Sequence, residues 1–346
     1  MATDAAGTVG KALLDWYDMH ARALPWRVGP AARAAGERPD PYRVWLSEVM
    51  LQQTTVATVT PRFDAFLHRW PNVSALAAAP REDVLAEWAG LGYYARARNL
   101  HACAATVAER HGGRFPDTED GLRALPGIGD YTAAAIAAIA FDRPAVVMDG
   151  NIERVMARLF AETEPLPGVK PTLKARAAAL TPQRRAGDHA QALMDLGATI
   201  CAPKKPACGI CPLMEACVGR RLGLAANLPA KAPKTAKPVR NGTVFVAFDT
   251  AGRVGTMLRP DKGLLGGMRA LPSTDWAEVA PPVTPPYPAD WSPIGEVRHT
   301  FTHFHLRLGI MVARYDPVPD PMLPADALRS MPTVFAKALK LVLEAS

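Results

Sequence analysis

No stretch of this 346-residue chain is both long and apolar enough to cross a bilayer. The longest apolar run, Tyr131 to Phe141, falls well short of the roughly 20 residues that a spanning helix needs. The opening residues, MATDAAGTVGKALLDWY, carry no basic start followed by an apolar stretch, so no secretion signal is expected. Cysteine is scarce, five residues in all, and four of the five crowd into 201–217. Without a secretion signal, that crowding speaks for metal or cluster ligation over disulfides. A soluble cytoplasmic protein in a reducing compartment is the expectation. Positive charge is in modest excess: a net charge of +7 and a pI near 9.3 favour a polyanionic partner, a balance that many ribosomal, membrane-surface and ordinary enzymes share. At roughly 150 residues per domain, the length points to two cores.

Strand signals are scarce over residues 8–222, where apolar positions recur at three and four. Val9, Leu13, Trp16 and Tyr17 mark a first helix, stopped by Pro25. A second opens at Asp40-Pro41, a cap residue followed by proline, and carries Val44, Trp45, Glu48 and Leu51 down one inward-facing side. Between them VGPAARAAGERPD (28–40) has no apolar period and reads as an exposed loop without an assigned function. After the cysteines, LPAKAPKTAKPVRN (228–241) is rich in proline and lysine and reads as an extended, solvated linker. It divides a mainly α domain, 1–227, from a second domain, 242–346. That second domain alternates in TVFVAFD (243–249) and HLRLGIMVARY (305–315) and closes on a helix, VFAKALKLVLEA, so it reads as mixed α+β with a surface loop at 281–293.

Several constellations could carry chemistry. Cys201, Cys208, Cys211 and Cys217 contain one Cys-x-x-Cys flanked by uneven gaps, whereas structural zinc usually draws on two close pairs. A cuboidal iron-sulfur cluster tolerates such spacing, with zinc the competing occupant. Lys204 and Lys205, inside the first gap, would present cations on a loop fixed by ligation, as suits a phosphate backbone. Gly127 and Gly129 in Leu-Pro-Gly-Ile-Gly precede a helix and allow a tight turn whose N–H groups can meet phosphate; an ordinary helix-joining elbow is the plainer reading. Glu48 shares an apolar face, so its pKa should be raised, as a general acid requires; a buried, hydrogen-bonded glutamate fits equally well. Asp149, in Val-Met-Asp-Gly-Asn, is most simply a helix N-cap but could also stabilise a developing cation. One protonated and one ionised carboxyl is the pairing that breaks glycosidic bonds through oxocarbenium-like transition states. His299, His303 and His305 sit at strand spacing and read as surface and core histidines, with metal ligation the other reading. Cys103 reads as a small buried apolar group.

Six motifs in order resemble the adenine DNA glycosylase (MutY) family: LPWR at 24–27, SEVMLQQT at 47–54, GLGYYAR at 90–96, LPGIG at 125–129, DGN at 149–151 and the four cysteines. The parent helix-hairpin-helix superfamily is similar to endonuclease III, whose strand-cleaving members carry a lysine just after the glycine hairpin; Tyr131 stands there, which disfavours a lysine-based mechanism. The resemblance implies a helix-hairpin-helix glycosylase domain with a [4Fe-4S] cluster loop at about 201–217. It implies Glu48 protonating adenine at N7, Asp149 stabilising the sugar cation, and Tyr131 and Asn151 ordering the site. It further implies Gln53 and Tyr93 wedging the disturbed base stack, and Arg22, Leu24, Trp26, Arg27 and Gln191 lining the adenine pocket. For Tyr93, core packing is the plainer reading. Residues 242–346 resemble the Nudix-like module with which these enzymes sense 8-oxoguanine, through Phe301-Thr302-His303 and GLLGG at 263–267; serine is usual where Thr302 stands, and an aromatic where Leu265 stands. No glutamate-rich metal-binding helix is present between 240 and 346, so recognition and not hydrolysis is implied. The implied partner is double-stranded DNA bearing adenine opposite 8-oxoguanine or guanine, engaged by a monomer at the bacterial nucleoid. A sibling glycosylase for thymine or oxidised pyrimidines, and a non-catalytic cluster-bearing DNA-binding or redox-sensing protein, are the rival readings.

Overall fold

Apolar periodicity becomes helix throughout the first part of the chain. In the computed structural model, which describes residues 2–88, 90–233, 236–260 and 263–345, helix α1 (Ala2–His20) buries Val9, Leu13 and Tyr17. Asp40 caps α2 (Pro41–Leu51) by accepting the Tyr42 amide, and Pro41 takes the first turn, where a missing N–H costs nothing. Helices α3 (Val56–Arg69) and α4 (Ala95–His111) surround an aromatic core in which Trp45, Phe63, Phe66 and Trp88 are fully buried. The short helix α5 (Glu119–Arg123) leads through the glycine turn into α6 (Asp130–Phe141). Residues 132–139 of α6 are buried without exception, the pattern of a helix packed on every side. It lies against α2, α5 and α8 (Ala186–Thr199), and α8 packs in turn on α7 (Gly150–Leu159) and α1. Among the described residues no helix is long and apolar enough to cross a membrane.

The chain divides into two units, Met1–Pro233 and Lys234–Ser346. In the second, β1 (Val239–Phe248) pairs with β2 (Val254–Gly255) and, in parallel, with β6 (His305–Arg314), while β5 (Ser292–Thr300) runs antiparallel to β6. The five-stranded order is β5-β6-β1-β2-β7, with β7 at Pro321–Met322; β3 (Met257–Leu258) and β4 (Arg269–Ala270) form a separate ribbon. Two helices follow, α9 (Pro324–Ser330) and α10 (Thr333–Ala345). The latter buries Val334, Phe335, Ala338, Leu339 and Val342 along one stripe against the sheet.

Three expectations change. Segment 28–40 is not simply an exposed loop: Pro30–Ala34 is helical and Arg33 is held by carboxylates. The linker is shorter than 228–241, because Leu228 is buried, Leu166 pairs with Lys231, and β1 begins at Val239. The surface loop 281–293 ends early, since Ser292 and Pro293 open β5 at an edge of the sheet, where proline is tolerated.

Candidate active site

Glu48 lies on the face of α2 that packs against α6, and it is only 7 % exposed. Tyr131, in the first turn of α6, donates its hydroxyl to Glu48 Oε2 at 2.7 Å. Burial pushes the Glu48 carboxyl from 4.5 up to about 7, helped by the nearby charge of Asp149; the Tyr131 hydrogen bond and Arg27 oppose it with smaller effect. Burial, then the neighbouring carboxylates, hold the Tyr131 phenol well above its ordinary value, so it stays a donor. Asp149 is the N-cap of α7. Its Oδ1 accepts the Ile152 amide at 2.7 Å and its Oδ2 accepts Asn151 Nδ2 at 2.8 Å, the kind of partners a negative carboxylate takes. The two plainer readings are therefore also present: Glu48 is a hydrogen-bonded buried glutamate and Asp149 is a cap.

Both acids line one cavity of about 350 Å³, together with Tyr131, Asn151, Arg22, Leu24, Trp26, Arg27, Gln53 and Gln191. Tyr93 does not line it. Its side chain is too open for core packing at 55 % exposure, and its backbone, like that of Gln53, is left-handed, with φ of 49° and 57°. Arg96 braces both positions, donating to the carbonyls of Val49 (2.9 Å), Met50 (3.1 Å) and Leu91 (2.7 Å).

The site also includes residues that sequence reasoning passed over. Asp195, fully buried on α8, accepts Arg22 Nε at 2.6 Å and Arg27 Nη1 at 2.7 Å, so it fixes two cationic walls of the cavity. Only its place was visible in the sequence, since Asp188, Gln191 and Asp195 fall at i, i+3 and i+7 on one helix; its arginine partners were not. Gln52 and Ser47 add polar groups to the wall. Arg154 donates to Asn151 Oδ1 at 2.9 Å and to the Cys201 carbonyl at 2.8 Å, linking the Asp149 cap to the cysteine loop.

The four cysteines 201, 208, 211 and 217 line a second, small cavity with Arg158. Arg158 is 2 % exposed, donates to the carbonyls of Cys201, Ala202, Pro203 and Leu228, and brings Nη1 within 3.3 Å of Cys201 Sγ. Among the described residues it has no carboxylate partner. A buried cation in that position suits an anionic occupant such as a thiolate-bound cluster. Burial pushes the Cys211 thiol up to about 11 and raises Cys217, and the neighbouring thiols add to both, so four thiolates need positive charge between them. Among the described residues no three His, Cys, Asp or Glu side chains are grouped to hold a single metal ion. Of the three histidines 299, 303 and 305, His305 pairs its Nδ1 with Thr300 Oγ1 at 2.9 Å.

At the glycine turn, Gly127 has φ +73° and Gly129 is the N-cap of α6; no side chain caps the first amides of that helix, which leaves them open to an anion. Lys204 and Lys205 are exposed. In the second unit, Phe301-Thr302-His303 forms the tip between β5 and β6. The Phe301 amide donates to the Phe304 carbonyl, the Phe301 ring packs on Trp276 and Phe304, and Thr302 and His303 are exposed.

The helical unit thus holds an acid-lined cavity beside a glycine turn at a helix N-terminus, and its sequence places it among base-excision DNA repair proteins. Residues 46–178 match the HhH-GPD superfamily base excision DNA repair protein family, and 243–341 match the NUDIX domain. The chain is 34 % identical to the adenine DNA glycosylase of Mus musculus over 91 % of its own length and 72 % of that protein. It is 36 % identical to the Homo sapiens adenine DNA glycosylase over 85 % of its length, spanning 64 % of that relative. The solved structure of a thermostable thymine-DNA glycosylase superposes with a TM-score of 0.56 at 29 % identity, covering 63 % of this chain and 98 % of that one. The chain belongs to the adenine DNA glycosylase family, hydrolases of N-glycosyl bonds that act on DNA in base-excision repair.

Proposed function

We propose that this chain hydrolyses the N-glycosidic bond of adenine mispaired with 8-oxoguanine or guanine in double-stranded DNA, acting as a monomer. The observation that carries the reading is a buried Glu48, its carboxyl pushed up to about 7 by burial, in the same cavity as Asp149. The adenine is extruded from the duplex, at an unstacking cost of a few kcal/mol that is lowest at a mispair. Gln53 and Tyr93 fill the disturbed stack. Glu48 passes its proton to N7 as the bond from N9 to the sugar breaks, so the base leaves neutral. Asp149 stabilises the cationic sugar, directly or through a transient covalent bond, while Asn151 and Tyr131 hold the two carboxyls. Water adds to the sugar carbon, and its proton returns to Glu48. Tyr131 has no amine with which to form a Schiff base, which supports a monofunctional glycosylase.

Leu24, Trp26 and the paired Arg22 and Arg27 bound the base. Gln191 donates Nε2 to the Gly187 carbonyl at 3.3 Å. A carbonyl can only accept, so this contact uses one of the two amide hydrogens and leaves the amide oxygen free to accept from the 6-amino group of adenine. Gly127, Gly129, Lys204 and Lys205 meet the phosphate backbone. Cys201, Cys208, Cys211 and Cys217 hold a [4Fe-4S] cluster whose contribution, when bound, is a rigid cross-link of the loop that carries the two lysines. The tip Phe301-Thr302-His303 reads the 8-oxoguanine.

The test is single-turnover base release from duplexes with adenine or thymine opposite 8-oxoguanine or guanine. Adenine should leave faster opposite 8-oxoguanine than opposite guanine. Release of thymine without adenine would move the chain to the sibling activity.

A further inference from the structure

Segment 28–40 carries a cation built into the protein. The side chain of Arg33 is 9 % exposed; its Nε lies 3.3 Å from Asp188 Oδ1, its Nη2 3.6 Å from Asp142 Oδ1, and its Nη1 donates to the Ile139 carbonyl at 3.2 Å. Those three partners mark the junction between the end of α6 and the start of α8. Asp142 terminates α6 in a left-handed conformation and accepts the amides of Arg185 and Gly187, each at 3.1 Å, so it also caps α8. The helices meet closely at Gly187. A Cβ there would stand 2.5 Å from the Ala138 carbonyl oxygen and 3.1 Å from Arg33 Nη1. Gly187 is also the residue whose carbonyl orients the Gln191 amide, one turn further along α8. A chain of contacts therefore runs from Arg33 to Asp142 and Ile139, to Gly187, and to Gln191 at the cavity wall.

We propose that Arg33 is a positioning residue for base selection: it locks the junction of α6 and α8 so that Gln191 presents its amide oxygen to the extruded base. The inference rests on the adenine-excising function proposed above and adds a determinant outside the cavity. Arg33 does this because its guanidinium donates to the Ile139 carbonyl while its charge stands between Asp188 and Asp142, a spread that a compact lysine ammonium does not match. The same face of α8 uses Asp195, two turns on, to hold Arg22 and Arg27. Both ends of segment 22–33 are thus pinned to one helix.

The experiment compares single-turnover release of adenine with that of purine lacking the 6-amino group, each opposite 8-oxoguanine. The proteins are the full-length wild type, Arg33→Lys, Gln191→Leu and the double variant. Arg33→Lys should lower the adenine-to-purine rate ratio roughly three- to tenfold, the worth of one hydrogen bond, and should lower it no further in the Gln191→Leu background. A destabilised but correctly aimed site would lose melting temperature and keep the ratio, so an unchanged ratio in Arg33→Lys overturns the proposal. An equal drop in both backgrounds overturns it too. Should Arg33→Lys fail to fold, Asp142→Asn, which removes the charge facing Arg33, takes its place under the same two criteria. A wild type that releases no adenine refutes the proposed activity and the inference with it. Adenine release with a ratio indifferent to Gln191→Leu refutes only the inference and the role given to Gln191.

Discussion

Glu48 owes its proton to its surroundings, and that has a consequence for stability as well as for chemistry. Its folded pKa, about 7, lies above the 4.5 of a free carboxyl. The protonated form therefore contributes stability that is fully present below about pH 4.5 and is lost as pH rises through 7. Glu48→Gln keeps the shape, can still hydrogen-bond Tyr131, and has no charge to bury. Denaturant melts should show the wild type losing about 3 kcal/mol relative to Glu48→Gln between pH 5 and pH 8.5. Parallel stability curves for the two proteins would mean that the carboxyl is solvated and its proton unremarkable.

The glycine turn between α5 and α6 sets the seat of Tyr131 and carries the proposed contact to the DNA backbone. Gly127 combines a φ of +73° with a Cβ position 2.5 Å from Asn99 Cβ, so alanine there meets both backbone strain and a clash. Gly127→Ala should destabilise by about 1–3 kcal/mol and weaken duplex binding, read by chemical denaturation and by the salt dependence of Kd. An unchanged melt would show the turn to be slack. The turn, the cap at Asp40 and the buried side of α2 were legible in the sequence because each is a local rule: glycine freedom, capping, and a period of 3.6. Asp195 and Arg33 were not, because their meaning lies in partners at sequence separations of up to 173 residues. The parallel pairing of β1 with β6 was hidden for the same reason. Strand β5, which opens on Ser-Pro-Ile-Gly, lacked the alternation that marks a strand and gains its order from β6.

At the scale of the whole molecule, the chemistry is concentrated in the helical unit, while the second unit has a core of its own around α10 and an exposed tip at Thr302 and His303. The basic balance of the chain supplies attraction to any duplex, and that alone selects no base. The proposed selection and cleavage both rest on the cavity shared by Glu48 and Asp149. The most direct measurement is therefore single-turnover adenine release from a duplex with adenine opposite 8-oxoguanine, followed from pH 5 to pH 9 for the wild type and Glu48→Gln. The wild type should release adenine with a rate that falls as pH rises through about 7, the Gln variant should bind the duplex and lose at least a hundredfold in rate, and the small residue of activity should be flat with pH. Comparable release by both proteins, with the same pH profile, would contradict the assignment of Glu48 as the acid.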